Sequence, residues 1–92
     1  MSDTLSTLLR STPLLDTHHP DIERLVAERG WHVLPMRERI GAVYDFVRDD
    51  IAFGYNEADD LPASHVLADG HGQCNTKGTL LMALLRSVGV PC

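Results

Sequence analysis

Ninety-two residues make one domain at most, or part of one, and 43% apolar with 23% charged residues is ordinary globular composition, which argues against disorder. A net charge of −5, with arginines scattered among acids rather than clustered, excludes the basic patch of a nucleic-acid binder and disfavours an anionic membrane surface. The longest apolar run, Leu80 to Leu85, is far too short to span a bilayer, and the N-terminus lacks the basic start and apolar stretch of a secretory signal. A cytoplasmic location follows, where Cys74 and Cys92 are thiols rather than a disulfide framework.

The first 19 residues are the least regular. Leu5, Leu8 and Leu9 suit a short helix that Ser11-Thr12-Pro13 breaks, and Asp16-Thr17-His18-His19 reads as a turn. Pro20 opens a helix with Asp21 and Glu23 in its first turn, Ile22, Leu25 and Val26 as its apolar stripe, and Gly30 past its end. Trp31 is a packing anchor. Pro35 opens a second helix, in which Met36, Ile40, Val43, Tyr44 and Val47 make one apolar face.

Ile51, Phe53 and Tyr55 alternate with small or polar residues, a strand of period two with its aromatics in the core and edge. Asn56 to Leu61 is a solvated polar loop, and its acids lack the spacing of a calcium loop. Pro62 starts a short helix through Leu67, ended by Asp69-Gly70. The last helix runs from about Asn75 to Ser87, is apolar all round in its middle and is therefore buried, and ends at Gly89 and Pro91. The fold class is α+β, mostly helical, with one short strand, and residues 20–92 carry the organised part of a single partial domain.

The chemistry concentrates before that last helix. Gly70-His71-Gly72-Gln73 delivers Cys74 to a helix start, where unpaired N–H groups and the positive dipole end favour thiolate over thiol. Gly78, one turn below, costs about 1 kcal/mol against alanine, which close approach of another backbone or a substrate would offset. A cysteine nucleophile also needs a base and oxyanion donors; the Cys74 N–H suits the second, and no spacing supplies the first. Against this stands the plain alternative that a free cysteine packs as a small buried residue. Lys77 is either a surface lysine or a thiolate neighbour, and Arg86 suits the negative end of the helix dipole with no further role. His71, Cys74 and Cys92 do not make the two ligand pairs of a zinc site, so no metal is expected, and no cofactor. His18-His19 reads as a solvated turn or a histidine cap, and His32 and His65 as structural or surface residues.

Gly72-Gln73-Cys74-Asn75-Thr76-Lys77-Gly78, followed by Leu80-Leu81-Met82-Ala83-Leu84-Leu85-Arg86 and Gly89-Val90-Pro91, resembles the transglutaminase-like superfamily. Tyr44-Asp45-Phe46-Val47 before the strand and Ala63-Ser64-His65-Val66-Leu67 before the glycine turn match it more generically, and the similarity covers roughly Pro35 to Pro91. The resemblance implies a papain-like fold and a Cys-His-Asp triad with Cys74 as nucleophile. It implies attack on an amide or ester carbonyl of a protein or peptide to give a thioester acyl-enzyme. Water then makes a hydrolase or protease, an amine an acyltransferase. In that family the histidine and acid follow the cysteine helix, so the 92 residues are expected to be the N-terminal portion of a longer protein or a truncated one, poorly active alone. The alternative is a non-catalytic helical module whose incomplete sheet is completed by a partner or by self-association.

Overall fold

The computed structural model describes residues 7–92. Its elements are helix α1 (Pro20–Arg29), a single 3-10 turn (Trp31–Val33), helix α2 (Met36–Asp50), strand β1 (Ala52–Phe53), helix α3 (Ala63–Asp69), strand β2 (His71–Gly72) and helix α4 (Cys74–Ser87). Residues 7–9 are also helical, whereas Leu5 lies outside the described residues. This is the mostly helical α+β arrangement that the sequence implies. None of these helices is long and apolar enough to cross a membrane.

The local signals act where they stand. Pro20 is the first residue of α1, and His19 caps it, its Nδ1 accepting from the Asp21 N–H at 3.1 Å. Gly30 closes α1 in the left-handed region at φ 66°, where a side chain would be strained. Pro35 precedes α2, and Gly70, at φ 72°, closes α3.

Helix α4 is the centre of the fold and packs against α1, α2 and α3. Its Leu80, Ala83 and Leu84 are fully buried, meeting a core that includes Ile22, Val26, Val43, Phe46, Val47, Ile51, Ala63 and Val66. Removing one such leucine side chain from water stabilises the fold by about 1.5–3 kcal/mol. The helix is nevertheless not apolar-buried on every side: Met82 is exposed, and Leu81 and Leu85 are half-buried. Trp31 is the expected anchor, buried and set edge-on to Phe46 with ring centroids 5.5 Å apart.

The strand is shorter than its alternation suggests. Only Ala52 and Phe53 pair, in parallel, with His71 and Gly72 of a strand that no sequence pattern announces. Ile51 is buried at the end of α2, but Phe53 and Tyr55 are 66% and 80% exposed and pack edge-on to each other, not into the core. The ladder stops because β2 turns into α4 at Cys74, leaving nothing beyond Gly72 for Tyr55 to pair with.

The irregular stretch of residues 10–19 is tied down. The Leu14 carbonyl accepts from Ala63 N at 2.8 Å, and the Asp16 carboxylate accepts from both the backbone N–H and the hydroxyl of Ser64. Pro62 has no side-chain oxygen with which to cap α3, so an acid 48 residues away does it.

Candidate functional site

Cys74 is the first residue of α4, with Gln73 as its N-cap. Its side chain is exposed and its thiol free, and among the described residues Sγ has no hydrogen-bond partner. No acceptor is set against its backbone N–H, and no acid occupies the first turn of α4. The first turn of α4 therefore carries no acidic side chain of its own to offset the positive end of the dipole.

The turn that carries Cys74 is held in part by side chains of the polar segment 56–61, which is therefore more than a solvated loop. The Gln73 Oε1 accepts from Asn56 N at 2.9 Å, and its Nε2 donates to the Asp59 carboxylate. Asn56 in turn donates through Nδ2 to the Asp69 carboxylate and to the His71 carbonyl, each at 3.0 Å. Thr76 joins the two layers: its hydroxyl accepts from Gln73 N at 3.0 Å and donates to Asn56 Oδ1 at 2.5 Å. Thr76 is fully buried, so these bonds also meet its polar requirement. The available signal was this polar residue at the start of an otherwise apolar helix face.

Gly72 is essential to the fit. A Cβ there would lie 2.7 Å from Thr76 Oγ1, closer than such atoms approach, and a tight 3.0 Å from Lys77 Cγ. Gly78 differs from expectation. A Cβ there would meet nothing within 4 Å, so no close approach among the described residues explains it. It lines instead a cleft of about 360 Å³ beside the thiol, whose largely apolar walls include Tyr44, Val47 and Leu81.

Two cations stand at that cleft. Arg48 is spent on acids: it donates through Nε and Nη2 to both carboxylate oxygens of Asp49, at 2.8 and 2.9 Å, and pairs with Asp45 at 3.3 Å. The Arg48 hydrogen bond, with a smaller contribution from the Lys77 charge, holds the Asp49 carboxyl below the usual carboxylate range. Lys77 lines the cleft with no ion-pair partner among the described residues.

None of the five histidines bonds to Cys74. His71, although three residues away, sets Nδ1 3.1 Å from the Asp69 carbonyl oxygen and packs its ring against Gly54. His65 lies between Glu57 at 3.2 Å and Asp69 at 3.6 Å, and His18 and His19 sit at the start of α1. Among the described residues no group of three or more His, Cys, Asp or Glu side chains is arranged to hold a metal ion. Arg86 has more to do than face the helix dipole: Nε donates to the Cys92 carbonyl and Nη1 to the Arg10 carbonyl, each at 2.7 Å.

A family model described as the transglutaminase-like superfamily matches residues 24–92, from within α1 through α4 to the last residue. The matched span begins earlier than the motifs around Cys74 indicated, taking in most of α1 and the Trp31 turn. No curated protein and no solved structure matches the chain.

Proposed function

The chain belongs to the transglutaminase-like superfamily, and from that premise we propose that Cys74 is the nucleophile of an acyl-transfer reaction on amide or ester bonds. The observation that carries this reading is the unpartnered, exposed thiol at the first residue of α4, beside an apolar cleft. The thiolate attacks the carbonyl carbon, the amine or alcohol leaves with a proton, and a thioester remains on Sγ. Water resolves it in a hydrolase, an amine in an acyltransferase. The unpaired N–H of Cys74 supports the developing oxyanion. The clamp of Gln73, Asn56, Asp59 and Thr76 holds the sulfur in place while the reaction proceeds.

No described histidine bonds to Sγ, so none is assigned as the general base, and on this reading a protein or peptide acyl donor lies along the cleft. On this reading residues 1–92 alone acylate at Cys74 and lose the acyl group slowly. The test is intact-mass analysis after exposure to an aryl acetate. The expected result is a single acetyl group on Cys74, gained at least about tenfold faster than on free cysteine and lost in Cys74→Ala but kept in Cys92→Ser. Acetylation of both thiols at the rate of free cysteine overturns the reading.

The second reading is a non-catalytic module completed by a second copy or a partner chain. The exposed Phe53–Tyr55 pair beside a two-stranded sheet, with Tyr44 and Met36 exposed on α2, favours it. Light scattering across a range of concentrations decides. A dimer that Phe53→Ser dissolves supports this reading, and a monomer throughout removes it.

A further inference from the structure

A second cleft, of about 380 Å³, opens away from the Cys74 turn, between α1, the 3-10 turn, the N-terminal segment and the end of α4. Thr17 lines it and is 95% buried, at 5% relative exposure, yet its hydroxyl has no hydrogen-bond partner. No sealed side-chain oxygen or nitrogen among the described residues lacks a partner, so the small part of Thr17 that solvent reaches includes this hydroxyl. A hydroxyl that solvent reaches and no protein group bonds, on a residue that lines a cleft, is free to bond a ligand there or water.

Arg86 stands on the same cleft. Two of its nitrogens are bound to the Cys92 and Arg10 carbonyls, which fixes the guanidinium in place, and Nη2 is unbonded. No Asp or Glu side chain pairs with it among the described residues. A fixed guanidinium edge and a hydroxyl are the donors that one carboxylate group takes. The His32 ring, also on the cleft and without a bonded partner, adds a further polar group. Leu9, Val26 and Ala27 supply an apolar wall, and the volume suits a molecule of several heavy atoms rather than a lone ion. Glu23 stands at the solvent side, 61% exposed and 3.5 Å from His18, where its charge counts against dianions more than monoanions.

We propose that this cleft binds a small monocarboxylate with a short apolar body, its acid group held by the Thr17 hydroxyl and the free edge of Arg86. The site is separate from Cys74 and does not depend on the acyl-transfer reading.

The test is a titration of the full chain with sodium 3-methylbutanoate, followed by amide and arginine side-chain NMR shifts. Saturable shifts at Thr17, His32 and Arg86 Nε–H are expected, unchanged in Cys74→Ala. Thr17→Val weakens binding about fivefold while leaving the thermal midpoint level or raised, since the hydroxyl bonds nothing in the fold. The uncharged 3-methylbutanamide binds at least about tenfold more weakly. Four outcomes overturn the proposal: shifts that do not saturate; the amide binding as well as the acid; inorganic phosphate binding as well as the acid; or Thr17→Val losing stability without losing affinity.

Discussion

The two ends of α4 are built to opposite purposes. At the C-terminal end polar groups tie the helix to other segments: Arg39 donates to the Val88 carbonyl at 2.7 Å, Arg86 holds Cys92 and Arg10, and Val90 N returns to the Leu85 carbonyl at 2.9 Å. At the N-terminal end the side chains around Cys74 are equally well bonded, but the thiol and its own N–H are not. One end welds the helix into the domain. The other holds a cysteine rigidly and leaves it open, which is what a site needs and a core does not.

The sharpest way to break this contrast is Gly72→Ala. The added Cβ runs into the Thr76 hydroxyl, which cannot move without disturbing its Asn56 and Gln73 bonds, and crowds the Lys77 side chain. Urea unfolding is expected to show a loss of about 1–3 kcal/mol. An unchanged midpoint would mean that the N-terminal end is soft and that the clamp is not rigid.

At the other end, Arg39→Lys removes a fork that binds the carbonyls of His32, Leu34 and Val88, and a single ammonium cannot replace it. The expected cost is about 1–2 kcal/mol, with no change in the Cys74 alkylation rate. A changed rate would show that the two ends are coupled through the helix.

Gly78→Ala carries the opposite sign. A Cβ there meets nothing, so the helix gains up to about 1 kcal/mol. If the neighbouring cleft admits the acyl donor, acetylation of Cys74 slows even as the midpoint rises; a faster or equal rate removes that use of the cleft.

The smallest effect is electrostatic. Asp49 is held below its ordinary value by Arg48, so its contribution is present above the unfolded carboxyl range and is lost as pH falls through the lowered folded value. Asp49→Asn is therefore expected to lower the thermal midpoint slightly at pH 7, with the difference shrinking as pH falls through the lowered folded value. Because both groups are at the surface, a large difference would point to a role beyond this pair.

Much of the fold was readable residue by residue. Pro20, Pro35, Gly30 and Gly70 mark helix limits because proline and glycine act through the backbone at their own positions. Cys74 at a helix start after a glycine turn was equally plain, and the motif around it pointed to the superfamily that the family model matches. The β1–β2 pairing was not legible, since two paired residues carry no periodic signal. Nor was the outward turn of Phe53 and Tyr55, because alternation states that a strand has two faces and not which one is covered.

By itself, the chain determined where helices begin and end, which faces are apolar and where a thiol meets a helix N-terminus, all consequences of neighbours within a few residues. Tertiary structure alone decided which polar groups satisfy one another: Asp16 capping a helix at Ser64, Asn56 and Asp59 gripping Gln73, and Arg86 joining both flanks of the chain. The reason is physical. A buried donor or acceptor must be met by whatever folding brings within about 3 Å, and sequence separation places no limit on that partner.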